Sequence, residues 1–161
     1  YYENIIELLI KYVQYYNDLI ISHNQTHEIR YINTWIYNKI TIKPGGQLKF
    51  STDISEEFTL ECCNSIIING YSNNNQTTRE TGIFCNVWYG KGSTLIIKCF
   101  GQLIMNGRSI ISCNGSSNKL YSTNADGGII DIQLNNRNDL TMNKHSIIKC
   151  KDGTINIQST N

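Results

Sequence analysis

The chain has 161 residues, 40% of them hydrophobic and 17% charged, and a formal net charge of +1 at pH 7. That length permits one domain with its own core, and a near-neutral chain without a basic block lacks the Lys/Arg-rich face that gives nucleic-acid binders their affinity. The longest apolar candidate, Ile5 to Ile21, is broken by Glu7, Lys11, Gln14 and Asp18 and falls short of the roughly 20 apolar residues of a membrane span.

The chain starts at Tyr1 and its last strand pattern stops in mid-repeat, so the expectation is a segment of a longer protein, with no signal peptide ahead of the fold. Three sequons, at Asn24, Asn75 and Asn114, are explained by the abundance of Asn, Ser and Thr. The six cysteines, at 62, 63, 85, 99, 113 and 150, include no C-x-x-C pair of the zinc or redox kind.

Residues 3 to 21 place Ile5, Leu8, Leu9, Tyr12, Val13, Tyr16, Leu19 and Ile20 at three- and four-residue spacing. This predicts an amphipathic helix whose stripe caps the end of a repeat stack, with residues 1–37 as cap and connection. The connection, residues 22 to 37, is read with a short strand around Arg30 to Ile36. His23 and His27 sit four apart at its start; without a third ligand they are read as a solvated pair and not a metal site.

From residue 38 onward alternation sets in. Ile40 and Ile42 are followed, across Pro44-Gly45-Gly46, by Leu48 and Phe50. Phe58, Leu60 and Cys62 are followed by Ile66 and Ile68, and Leu95, Ile97 and Cys99 by Leu103 and Met105. The segment Leu103 to Cys113 then recurs as Leu140 to Cys150, with seven positions identical, and Ile155 and Ile157 open a further copy. Period-two alternation assigns these apolar residues to an inward face, with first strands starting at Ile40, Phe58, Leu95, Ile130 and Ile155. The stretch 82 to 89, carrying Phe84, Val87 and Trp88, predicts an added strand. Polar segments at 71 to 81 and 116 to 126 are loops.

A stretch that repeats in order predicts stacking of successive copies, Met105 over Met142 for example. An antiparallel sandwich gives no reason for that order. The fold expected is mainly β, a parallel β-helix (β-solenoid) of about four to five coils over residues 38–161. Over residues 39 to 157 the pattern resembles the right-handed parallel β-helix class, to which pectin-lyase-like proteins and many adhesins belong. The strand from Gly127 to Ile132, followed by Ser146 to Cys150, is similar to glycine-rich solenoid regions of large protist proteins.

That resemblance implies that ligands lie along the outer face of the first strands, where carboxylates hold calcium or act as acid and base. The outward columns here read Thr59, Ile96, Asp131, Asn156 and Glu61, Lys98, Gln133, Gln158. Hydrolysis needs two carboxylates roughly 5–9.5 Å apart, and a lyase needs clustered Asp residues plus a base. Asp131 beside Asn156 meets neither demand, so the columns are read as an Asn/Gln ladder bonding along the stack. The candidate binding residues are Asp131, Asn156, Lys98 and Glu61, with Trp88, Tyr89 and Tyr121 as aromatic contacts near the loops. Cys62, Cys99, Cys113 and Cys150 are inward by alternation and read as reduced core thiols, Cys63 as outward.

The function expected is a non-catalytic rigid scaffold or binding surface, for a glycan or protein ligand, needing no cofactor. The competing class is a carbohydrate-active enzyme. A third is an assembly element whose last coil pairs end to end with another chain or with more of its own.

Overall fold

A computed structural model describes residues 17–30, 34–52, 56–72, 79–87, 92–115 and 127–159. They form strands β1 (Leu19–Ile21), β2 (Thr26–Ile29), β3 (Thr34–Ile42), β4 (Gln47–Thr52), β5 (Glu57–Asn69), β6 (Thr81–Val87), β7 (Thr94–Cys99), β8 (Gln102–Asn106), β9 (Ser109–Asn114), β10 (Ile129–Leu134), β11 (Leu140–Met142), β12 (Ile147–Lys149) and β13 (Thr154–Ser159). Among the described residues a 3-10 turn, Arg137–Asp139, precedes β11.

The strands make two parallel sheets. The first runs β1-β3-β5-β7-β10-β13, with β8 pairing β5 and β11 alongside; the second runs β2-β4-β6-β9-β12. Parallel neighbours need a crossover in place of a hairpin. Here the crossover passes through the other sheet, so each return to a sheet adds to it alongside the previous strand; β7 with β8, and β10 with β11, are successive strands of the first sheet. Each passage through both sheets is one level.

Register follows the apolar alternation. Leu60 pairs with Ile97 and Ile97 with Ile132, Ile66 with Leu103 and Leu103 with Leu140, and Met105 with Met142. In the second sheet Leu48 pairs with Ile83 and Ile83 with Ile111. Slipping any strand by one residue would turn its aliphatic side chains outward, so burial fixes the pairing. Apart from Met142, these inward residues from both sheets form one hydrophobic cluster, with the partly buried Leu140 packed against it, each fully buried Ile or Leu contributing about 1.5–3 kcal/mol. The Phe50 and Phe58 rings fill it at 5.3 Å, tilted by 47°.

β3 and β5 are long because each carries the chain around a bend. Their pairing shifts register between Tyr37 and Lys39, and Asn64 of β5 is exposed where the alternation would bury it. At the bend Asn64 donates to Asn38 Oδ1 (2.5 Å) and Asn38 to Asp18 Oδ1 (2.7 Å), so side-chain amides step from level to level along the corner.

Several expectations change. The helix expected over 3 to 21 lies mostly outside the described residues. Where it reaches them, at Leu19–Ile21, the chain is β1, paired in parallel with Ile40–Ile42 of β3. Leu19 and Ile21 face the core and Ile20 points out, 59% exposed, so the stretch suits an edge strand with one buried face as well as a helical stripe, and pairing decides. His23 lies in a turn and His27 on β2 opposite Leu48, so no helix presents them together. Ile40 pairs with Ile66, not Phe58. An eight-residue offset separates the first from the second strand of a level and also the second from the third, so the offset alone could not phase the first copy. In β6 the inward residues include Ile83 and Cys85, paired with Ile111 and Cys113. Finally, Ile155, Ile157 and Met142 keep their expected register but are 40%, 49% and 42% exposed. No described strand lies beyond them, whereas Ile21 and Ile29 at the opposite end are buried.

Candidate binding surface

The outward columns of the first sheet form as the alternation expects. Asp131 lies between Ile96 and Asn156, and Glu61, Lys98, Gln133 and Gln158 follow one another strand by strand. Lys98 Nζ reaches Glu61 Oε1 at 3.2 Å. Gln133 Nε2 donates to Asp131 Oδ2 at 2.8 Å, and Gln158 Nε2 to Asp131 Oδ1 at 3.0 Å. Both oxygens of Asp131 therefore hold neighbouring amides, a role that fixes side chains along the stack. Trp88, Tyr89 and Tyr121 lie outside the described residues.

A second ladder, which the sequence reading did not single out, runs along the far ends of β5 and β8 and past the end of β11. Asn106 Nδ2 donates to Asn69 Oδ1 at 2.9 Å, and Asn143 Nδ2 donates in turn to Asn106 Oδ1. The signal was present in the repeat, where Asn106 and Asn143 align.

The inward thiols stack in two columns. Cys62 pairs with Cys99 and Cys85 with Cys113, and all six cysteines are free. The hydrogen bond between Cys62 and Cys99, followed by burial, pushes the Cys62 thiol up, and the same bond lowers Cys99. Cys85 and Cys113 repeat this arrangement, with Cys85 pushed up. Cys62 also donates to the carbonyls of Asn38 and Ser65, at 3.4 and 3.2 Å, and Cys113 to that of Ser93 at 3.0 Å, so these buried thiols are satisfied by the backbone. Cys150 donates to the carbonyls of Cys113 and Gly128 at 2.8 and 2.7 Å, and burial pushes its thiol up to about 11. Cys63 is half-buried, and burial and then Glu61 raise its thiol as well.

A cleft of about 330 Å³ opens at the corner between the β8 and β9 columns, lined by Tyr71, Arg79, Glu80, Arg108, Ile110, His145 and Ile147. Three consecutive levels build it: Tyr71, Arg79 and Glu80 from the segment joining β5 to β6, Arg108 and Ile110 from the next, and His145 and Ile147 from the last. Arg79 is anchored by donation to Asn24 O, to Thr26 Oγ1 and, at 3.0 Å, to Gln47 Oε1, all neutral acceptors. Glu80 faces Lys149 Nζ at 3.7 Å. His145 has a left-handed backbone, φ 77°, uncommon outside glycine. Arg108 and His145 occupy equivalent places in the repeat, a sign of stacking that their differing side chains concealed.

Among the described residues, no group of three His, Cys, Asp or Glu side chains is placed to hold a metal ion, and no helix is long and apolar enough to cross a membrane. No family model, curated protein or solved structure matches this chain.

Proposed function

We propose that the two sheets are walls of a β-solenoid, of the parallel β-helix kind, and that the module serves a larger protein as a rigid scaffold and as a binding surface for a glycan or protein ligand. The observation that carries this reading is the engagement of Asp131 by Gln133 and Gln158. The outward acid best placed for chemistry is a member of a hydrogen-bonded column, and satisfied polar networks of this kind rigidify a surface. The Lys98–Glu61 pair and the Asn69–Asn106–Asn143 ladder support the same role elsewhere on the outer surface. A stack in which each level repeats the polar groups of the one below offers a regular row of donors and acceptors, which suits a ligand that itself repeats.

The test is binding to an array of neutral and acidic glycans, followed by titration of any hit, alongside an assay for turnover. In the assay, acidic polysaccharides with calcium are incubated with the protein and double-bond absorbance is followed. Saturable glycan binding without turnover supports the reading. Turnover that disappears in Asp131→Asn overturns it in favour of a carbohydrate-active enzyme.

A further inference from the structure

We propose that the corner residues leading into β6 form a strap that holds the first level of the stack, β1 and β2, in place across the intervening level. In a stack each level ordinarily touches its neighbours alone, so an edge level is free to open by itself. Here the levels run β1 and β2, β3 and β4, then β5 and β6. Side chains of the third reach past the second to the first.

Arg79 makes the main attachment. It donates to Asn24 O in the turn between β1 and β2, to Thr26 Oγ1 on β2 and, at 3.0 Å, to Gln47 Oε1 on β4. The planar guanidinium suits this use, since its N–H groups diverge in fixed directions and serve several acceptors at once. Gln47, 7% exposed, closes the grip by donating through Nε2 to Glu80 O at 2.8 Å. The second attachment is Tyr71, which follows β5 on the same level and whose hydroxyl donates to Asn24 Oδ1 at 3.1 Å.

The level that is crossed is shaped for the crossing. Asn24 and Tyr71 meet over Gly45, whose φ is 75°, and a Cβ there would lie 2.0 Å from Asn24 Oδ1 and 2.9 Å from the Tyr71 oxygen. Any larger residue would part the two side chains. Gly45 is tied to the strap as well, its N–H donating to Thr81 Oγ1 at 2.7 Å. Toward the far end of the stack Glu80 meets Lys149 at 3.7 Å, with side chains 57% and 46% exposed, the sort of contact that contributes little. The grip is therefore strongest toward β2, and what it guards is a sheet edge. If β2 opened, β4 would present unpaired backbone groups, and Leu48 and Phe50 would lose their partners His27 and Ile29.

Native-state hydrogen exchange, resolved amide by amide on the whole chain, tests the strap. In the parent the amides of β2 should exchange no faster than those of β4, although β2 lies at the sheet edge. Arg79→Gln, which keeps a polar side chain without the fork, should speed exchange across β2 about tenfold to a hundredfold, the loss of charge-assisted hydrogen bonds, and leave β10 as it was. Tyr71→Phe, which removes one neutral bond, should speed it about fivefold. The proposal is overturned if β2 frays ahead of β4 in the parent, or if Arg79→Gln leaves β2 unchanged. It is equally overturned if that variant accelerates β2 and β10 alike, the mark of a general loss of stability. Because the first of these outcomes is read on the parent alone, the test stands even where a variant fails to fold.

Discussion

The stack makes a sharp distinction between two isoleucines in the same column. Ile97 is fully buried between Leu60 and Ile132, whereas Ile157, one strand beyond Ile132, is 49% exposed. Truncating Ile97 to Ala removes three carbons from water-free surroundings, about 0.8 kcal/mol each and hence about 2.4 kcal/mol of transfer free energy. With both neighbours held by their own hydrogen-bonded strands the site cannot collapse. A vacated volume of roughly 80 Å³ at about 24 cal/mol per Å³ adds ~2 kcal/mol. Ile157→Ala loses about half the transfer term and leaves no closed cavity, a cost of about 1 kcal/mol. At about 2–4 °C per kcal/mol for a chain of this size, Ile97→Ala should lower Tm by about 9–18 °C and Ile157→Ala by about 2–4 °C. Thermal unfolding followed by circular dichroism, with urea titration for the free energies, measures both. Equal shifts would refute the argument, since they would mean that position in the stack does not govern burial.

Gly101 tests the close approach of levels at the corner: a Cβ there would lie 1.6 Å from the Asn64 carbonyl oxygen. Gly101→Ala must therefore displace backbone and should cost about 1–3 kcal/mol, read as a lower urea midpoint. In the asparagine ladder, Asn106 bonds on both sides and Asn143 on one. Asn106→Ala should accordingly cost about twice what Asn143→Ala does, with about 1 kcal/mol per bond, and equal costs would remove the ladder's energetic role. For Cys150 the folded thiol, near 11, lies above the value of an unfolded thiol, about 8.5. Alkylation of the folded protein should speed up about tenfold per pH unit from 8 to 10, while denatured protein levels off near pH 9. The unfolded state sheds this proton first, so stability should fall as pH rises past about 8.5 and keep falling through about 11. Cys150→Ala should flatten that decline in the urea midpoint.

Much of this arrangement can be read from residues alone, because an inward face is a one-bit pattern that burial must respect. The pairings of Leu103 with Leu140, Met105 with Met142 and Asp131 with Asn156 follow from the repeat. The phase of the first copy does not. Ile40 and Leu48 carry the same spacing as Phe58 and Ile66, and only the pairing of Ile40 with Ile66 shows that β3 turns the corner within one strand. β1 is hidden for a related reason, since three residues cannot distinguish a helical stripe from an edge strand. The corner cleft was out of reach because Tyr71, Arg79, Arg108 and His145 are brought together by level height, a quantity the linear order does not carry. Arg79 and Glu80 stood at the end of a polar run that reads as loop.

Far more residues separate Ile68 from Ile83 than Met105 from Ile111, yet both ends of each pass are paired in step. Chain length at a corner is thus uncoupled from the spacing of the walls. A lineage can lengthen or exchange corner segments, and with them whatever the molecule recognises, while the aliphatic columns inherit no new packing problem.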